Sequence, residues 1–343
     1  MNPSIDFQLL KPLTIDVPLV STKLNLADKL GTIKVRCGIK RDSYKVSPGL
    51  YKVGSPDSTS DVLISANYKL SFDALRKNLG GMNVWILVID TKGVNVWCAA
   101  GKGTFSTANI VKSLKEYSLE SIVSHRKIIV PQLAATGVSA HKVKTLSGFN
   151  VLFGPIHAKD LSTYIKNGYK ATPEMREMKF PIMERMKLIP VDFLYRKYYL
   201  LLILAGIFFL SGLDKTGFLF SKMIETGIFP VINIIAAYFA GIVLAPALLP
   251  WIPFRAFATK GAILGILVTV ILYFILNISL MENISLGLIN TSIASFMMMN
   301  FTGSSTFTSV SGVKKEMKFA VPVQVILFSS GIILFVIFKL VKP

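Results

Sequence analysis

The 343-residue chain carries 38 Lys and Arg against 19 Asp and Glu, a formal net charge of +19, yet its mean hydropathy is positive at +0.55. Strongly basic chains are ordinarily polar, so this pairing excludes one evenly composed domain and requires charge to be segregated from apolar sequence. Two cysteines, Cys37 and Cys98, and three scattered histidines, His125, His141 and His157, leave no CxxC or HxxxH ligand pair and so exclude a zinc or internal iron–sulfur site.

Residues 1–44 form an amino-terminal extension without a readable pattern. Strands are expected near 61–66, 83–90, 93–97, 127–130 and 149–153, where β-branched and aromatic runs are bounded by turn residues. Helices are expected over 71–79, 99–117, 131–145 and 158–167. This alternation over residues 45–190 predicts an α/β domain with a mostly parallel sheet covered by helices on both faces. Such sheets bind ligands beyond the carboxyl ends of their strands. ANYKLS after the first strand, Cys98, PQLAATG after the 127–130 strand and Gly154-Pro155 after the last all fall at such ends.

The segment GVNVWCAAGKGTF, residues 93–105, sets Cys98 between an apolar run and a small-residue helix. A thiol near the first turn of a helix, with Lys102 four positions on, sees two features that favour thiolate. The Gly-Lys pair is not a phosphate loop, because Val96 stands where glycine is needed and Gly103 where a hydroxyl is needed. A cysteine among apolar residues is also a common packing residue, and spacing alone leaves both readings open.

Up to Tyr195 there are 27 Lys and Arg against 15 Asp and Glu; from Arg196 there are 11 against 4, set between long apolar runs. Five spans are expected in a transmembrane helical domain over 191–343, at about 198–213, 228–249, 261–281, 284–304 and 319–340. The fourth is polar, with Asn290, Thr291, Ser292, Ser295 and Asn300, and is expected to pack against its neighbours through these groups. Met297, Met298 and Met299 read as packing residues, and Asp214 and Glu282 fall at span ends, which disfavours a transporter. The loop with Arg255 and Lys260 and the loop with Lys314, Lys315 and Lys318 carry the positive excess. They predict an inner-membrane protein with a cytoplasmic α/β domain, to which Lys339 and Lys342 near the carboxyl end run counter. No signal peptide is expected. The excess positive charge suits an anionic lipid surface, and no basic stripe with stacking aromatics suggests nucleic acid.

The octapeptide NVWCAAGK resembles the cap-helix signature N(V/I)WCA(A/S)GK of the HgcA family, membrane-bound corrinoid proteins that methylate mercury. PGLYKVGSPD (48–57), ISANYKLSFDALR (64–76), HRKIIVPQLAATGVSAHKV (125–143), GFNVLFGPIHAKDL (148–161) and ATPEMREMKF (171–180) resemble that family too. The same region is similar, more distantly, to the corrinoid domain of the corrinoid iron–sulfur protein of the acetyl-CoA pathway.

The resemblance implies a Rossmann-like corrinoid-binding domain followed by an all-α transmembrane domain of about five helices. It also implies that Cys98 is the lower axial ligand of cobalt in a cobalamin-type corrinoid. No histidine has an acid two residues before it, so the DxHxxG pattern of many cobalamin proteins is missing. Asn95, Trp97, Cys98, Ala99, Gly101 and Lys102 match the motif position by position. Ala100, Gly103, Thr104, Asn67, Gln132 and Gly154 complete the expected corrinoid contacts. Asn95 is expected to tune the thiolate, Trp97 to act as a packing wall, and the small residues to let a flat macrocycle approach the backbone.

The implied reaction is methyl transfer from the Cys-ligated methylcobalt(III) corrinoid to Hg(II), which yields methylmercury. The implied partners are the ferredoxin-like HgcB, whose two 4Fe–4S clusters supply electrons and which is a possible mercury donor, and a methyltransferase that draws on a methylated pterin. The alternatives are a methyl carrier of one-carbon and acetyl-CoA metabolism and a non-catalytic corrinoid-binding membrane protein or permease.

Overall fold

The computed structural model describes residues 17–195, 197–301 and 310–341. The chain divides into two compact units, Met1–Thr32 with Asp42–Glu177 and Ile33–Arg41 with Met178–Pro343. The first is a mixed α/β unit and the second is helical.

Helix α1 (Leu26–Arg36) precedes strands β1 (Gly49–Val53) and β2 (Val62–Ala66), helix α2 (Lys69–Arg76) and strand β3 (Val84–Ile89). Helices α3 (Val96–Lys102), α4 (Thr107–Glu116) and α5 (Leu119–Ile122) follow. Then come strand β4 (Lys127–Val130), helix α6 (Ala140–Ser147), strand β5 (Asn150–Phe153) and helices α7 (Leu161–Lys166) and α8 (Pro173–Arg176). The sheet has the order β1-β3-β2-β4-β5, with Ile64 opposite Leu87, Leu63 opposite Ile129, and Ile129 opposite Leu152 in parallel pairs.

Successive strand residues face opposite sides, which divides the apolar runs between two cores. Ile64, Leu87, Ile89, Ile128 and Val130 pack with Ala99, Ile110, Leu114 and Val143 on one face. Leu63, Ile86, Val88 and Ile129 pack with Phe72, Leu161 and Tyr164 on the other. Burial on both faces is why β2 and β3 read as continuous apolar runs instead of alternating ones.

Several expected elements are corrected. The expected strand at 93–97 is a turn followed by the start of α3. The expected helix at 99–117 is two helices, parted at Gly103 (φ 80°) and restarted by Ser106, whose hydroxyl accepts from the Asn109 amide. The expected helix at 131–145 is a single 3-10 turn at Gln132–Ala134, with α6 starting only at Ala140 behind the Ser139 cap. Strand β1 was not anticipated. It pairs antiparallel with β3, so the sheet is mixed at that edge. Helix α1 falls in the extension that showed no pattern.

In the second unit α9 (Ile182–Met186), α10 (Ile189–Tyr195) and α11 (Lys197–Leu210) lead through a small hairpin to α12 (Phe220–Thr226). Helices α13 (Ile228–Phe239) and α14 (Ala245–Ala247) run on through a π turn at Ala240–Leu244; α15 (Phe257–Leu276), α16 (Leu280–Phe301) and α17 (Val310–Val341) complete the unit. Among the described residues four helices are long and apolar enough to cross a membrane: Ile228–Ala247, Phe257–Leu276, Leu280–Phe301 and Gly312–Val341. The expected first span is shorter, because α11 has 14 residues; a fifth crossing exists only if the bent pair Ile182–Leu194 and Lys197–Leu210 counts as one. Residues 302–304 of the expected fourth span lie outside the described residues.

Helix α16 is the most buried of the four, and its polar side chains bond between helices. Asn290 donates to the Asn233 and Thr269 side chains at 3.3 and 3.0 Å, Ser292 to the Gln324 carbonyl at 2.8 Å, and Gln324 to Ser295 at 2.8 Å. Small residues set the spacing: a Cβ on Gly265 would stand 2.8 Å from the Asn290 carbonyl oxygen and 2.9 Å from the Thr291 Cα. Met297, Met298 and Met299 are buried.

Two expectations about loop charges are revised. Lys260 lies inside α15 and is buried, its ammonium donating to the Leu249 and Ile252 carbonyls at 2.6 and 2.7 Å in the turn that follows α14. Lys314, Lys315 and Lys318 stand on the first turns of α17 and not in a loop.

Candidate functional site

The carboxyl ends of β2, β3, β4 and β5 share one rim of the sheet. Between β3 and α3 the chain turns sharply through Thr91–Val94, with positive φ at Lys92 (61°) and Gly93 (75°). Asn67, just past β2 and 2 % exposed, holds this turn: its Oδ1 accepts from the Thr91 amide, the Thr91 hydroxyl and the Gly93 amide at 3.1, 2.9 and 2.9 Å. Its Nδ2 donates to Asp90 Oδ1 at 3.0 Å. The Lys92 amide also donates to Asp90 and holds that carboxyl below the usual carboxylate range. Both side-chain polar atoms of Asn67 are thus engaged in shaping the turn from which α3 starts.

Helix α3 begins because Asn95 caps it. The Asn95 backbone is extended and its Oδ1 accepts from the Cys98 amide at 2.9 Å, satisfying a donor that the first turn of a helix leaves open. Ala99 and Ala100 turn inward and are buried in the core. Trp97 and Cys98 are half-buried, and Gly101, Lys102 and Gly103 are exposed. Gly103 closes the helix in the left-handed conformation that favours glycine, and the Thr104 amide donates back to the Ala99 carbonyl at 3.0 Å. Neither cysteine is in a disulfide.

One positioning residue was not singled out from sequence. Gly137, after β4, lies against the end of α3: a Cβ there would meet the Phe105 carbonyl oxygen and stand 3.0 Å from both the Cα and the carbonyl oxygen of Ala100. Its signal in the sequence is faint, a glycine after the small pair Ala134-Ala135 and two residues before the Ser139 cap.

Beneath the rim is a cavity of about 290 Å³. Asn95, the cap of α3, and Val96 and Trp97 in its first turn line it, with Ser65 of β2, Ser71 of α2, Pro131 and Leu133 after β4, and Gly154 to Ala158 after β5. The lining is mainly apolar with a few polar groups, the usual make-up of a small-molecule site at the edge of an α/β sheet. His157, Ser65 and Ser71 enter it without having been expected to; their only sequence signal was nearness to strand ends. Cys98 adjoins this lining in sequence but is not part of it.

The structure therefore gathers the expected residues unevenly. Asn95, Trp97 and Gly154 share the cavity wall, with Gly154 held close to Ile129, whose Cγ2 is 3.0 Å from where a Cβ would stand. Cys98, Gly101, Lys102 and Gly103 form the outward side of α3. Gln132 is engaged by Arg176, which donates to its Oε1. Thr104 accepts from Asn109 through its carbonyl at 2.7 Å. Among the described residues no three His, Cys, Asp or Glu side chains are grouped to hold a metal ion on their own.

Residues 22–165 match the family described as CO dehydrogenase/acetyl-CoA synthase delta subunit. The chain is also similar to the acetyl-CoA decarbonylase/synthase complex subunit gamma of Methanopyrus kandleri, 30% identical over 128 residues, which are 37% of this chain and 27% of the relative. For the subunit gamma of Methanocaldococcus jannaschii the identity is 31% over 140 residues, 40% of this chain and 28% of that one. For that of Archaeoglobus fulgidus it is 29% over 143 residues, 40% and 30%. The chain thus spans less than a third of the length of these relatives. The family match covers the turn, the cap and the cavity wall, and ends before the first membrane-length helix.

Proposed function

We propose that the α/β unit binds a corrinoid with Cys98 as the lower axial ligand of its cobalt, and that the protein transfers a methyl group from it to Hg(II), as the resemblance to the HgcA family implies. The observation that carries this reading is the seat of Cys98. It is a half-buried thiol, free of disulfide, on a capped helix whose first residues wall an apolar cavity at the sheet rim.

The residues fit such a group. A thiol is a soft donor suited to a transition metal. Apart from its chain neighbours and the backbone of α3 itself, no atom lies within 4 Å of where a Cβ on Gly101 would stand, which leaves the backbone open to a flat macrocycle on that side. When bound, the corrinoid supplies the cobalt that carries and releases the methyl group. The chain's own part is to position: Asn95 fixes the backbone at Cys98, Ala99 and Ala100 anchor α3 in the core, Trp97 walls the cavity, and Gly137 seats the far end of the helix.

The chain lacks cluster cysteines, so low-potential electrons must come from outside. A ferredoxin-like HgcB with two 4Fe–4S clusters is the partner this reading requires, and it also offers a source of mercury. A methyltransferase using a methylated pterin is the methyl source. The same reading places the α/β unit on the cytoplasmic side of the inner membrane.

The names of the curated relatives favour a second reading, a corrinoid methyl carrier of one-carbon metabolism whose acceptor is an acetyl-CoA synthase. Anaerobic reconstitution of the full chain with cobalamin, followed by visible spectroscopy, tests what the two share. Binding is expected, with a thiolate-ligated spectrum that Cys98→Ala loses. Methyl-loaded protein is then offered Hg(II) or an acetyl-CoA synthase. Methylmercury supports the first reading and methyl passed only to the synthase supports the second. Absence of bound corrinoid sinks both.

A further inference from the structure

Helix α1 has its amphipathicity turned outward. Asp28 and Val35, 8 % and 1 % exposed, lie on the face toward the protein, whereas Leu26, Leu30 and Ile33 are 71 %, 48 % and 58 % exposed. At positions i, i+4 and i+7 these three form one stripe on a helix with about 100° per residue. Lys29 and Lys34, both exposed, lie about 70° to either side of it. An exposed helix face is ordinarily polar, so an apolar stripe between two lysines needs an occupant.

The phase of the helix is fixed from its inner side. Asp28 receives Lys69 Nζ on one carboxylate oxygen and Arg76 Nη2 on the other, both at 2.6 Å. Asp73 closes the ring, 2.7 Å from Lys69 Nζ and 2.6 Å from Arg76 Nε. Gly31 faces the Tyr44 ring so closely that a Cβ would collide with it. Rotating α1 to hide the stripe would break this ring and force Gly31 away from Tyr44.

We propose that α1 lies in the interface of an anionic membrane, with Leu26, Leu30 and Ile33 in the headgroup–acyl boundary and Lys29 and Lys34 reaching to lipid phosphates. The charge argues for this occupant. Lys23, Lys29, Lys34 and Arg36 all belong to the helix or its approach, and the acid of α1, Asp28, is consumed on the inner side. Lysines beside an apolar stripe, with stems along the apolar surface and ammonium groups in the headgroup layer, are the composition of an interfacial helix. A bilayer is at hand in a chain that has four membrane-length helices among its described residues. The inference is independent of the corrinoid reading.

The test uses the full chain in nanodiscs, with Cys37→Ser and Cys98→Ala so that a nitroxide label can be placed on Leu30→Cys. Power-saturation electron paramagnetic resonance then compares collision with oxygen, which concentrates in lipid, and with a water-soluble nickel chelate. In phosphatidylglycerol-containing nanodiscs the oxygen-to-chelate ratio is expected to exceed severalfold that of a label on exposed Lys115→Cys in α4. Adding Lys29→Glu and Lys34→Glu is expected to lower it severalfold. Ile33→Cys repeats the measurement should the label on Leu30→Cys disturb the fold. A label as open to the chelate as the control overturns the proposal. So does a label shielded from both reagents, which would put residues 1–16, a second copy or another protein on the stripe.

Discussion

The Oδ1 of Asn95 accepts the backbone N–H of Cys98 at 2.9 Å, so the residue that starts helix α3 also fixes the backbone of the residue proposed as the cobalt ligand. Asn95 acts on Cys98 through the helix and not through the sulfur. Asn95→Ala is expected to cost about 1 kcal/mol, the usual value of an N-cap, and to raise amide exchange at Cys98 and Ala99. Asn95→Asp keeps the cap and is expected to keep the exchange pattern. Equal protection in the alanine variant and the parent would show that the cap is not what holds α3.

Gly137→Ala is expected to be more damaging than a glycine change on an open loop, because the added methyl meets the backbone of Ala100 and Phe105, which cannot yield as a side chain does. A loss of about 1–3 kcal/mol is expected by analogy with overpacking. Gly101→Ala, with open space around it, is expected to leave stability within about 0.5 kcal/mol. The comparison is made by chemical denaturation of the two variants side by side.

Acid is expected to release helix α1. Burial alone would raise the Asp28 carboxyl, but hydrogen bonds from Lys69, Arg76 and the Asn25 amide outweigh it and hold the pKa at about 2, against 3.8 for a free carboxyl. A carboxyl lowered by folding contributes stability that is complete above the unfolded value and is lost as pH falls through the folded one. The contribution at neutral pH is about 2 kcal/mol. Amide protection in α1, corrected for intrinsic exchange, should therefore hold steady down to about pH 4 and fall between there and pH 2. The fall should vanish in Asp28→Asn, whose protection in α1 should sit at the lowered level at every pH.

Gly265→Leu is expected to abolish the folded helical unit, since the larger side chain would enter the backbone of α16 at Asn290 and Thr291. Asn290→Ala removes two interhelical hydrogen bonds and is expected to cost about 1 kcal/mol, in line with such bonds inside membranes. Unfolding in mixed micelles separates the two magnitudes.

The parallel strands β2, β3 and β4 were legible as short apolar runs because nearly all their residues are buried, and β5, a half-buried edge strand, was legible from the apolar Val151, Leu152 and Phe153 between turn residues. The 93–97 segment misled because Val94 and Val96 alternate like a strand, whereas the decisive signals were Gly93, where the backbone takes a positive φ, and Asn95, a helix cap. Strand β1 is short, lies at the sheet edge and contains a lysine, so its pairing with β3 was not written in its own residues. The cavity wall was legible only as strand ends; that Ser65, Ser71 and His157 converge there depends on the sheet order. The outward stripe of α1 could not be told from an inward one, since a helical period gives a face but not its direction.

The contact of Gly137 with Ala100 is made backbone to backbone. Side-chain changes along the outward face of α3, residue 98 included, are therefore expected to leave the helix where it is. The proposed ligation at that rim is thus separable from the architecture: a single substitution at residue 98 is expected to exchange the proposed donor atom on an unmoved platform. Cys98→His would read out the donor atom alone.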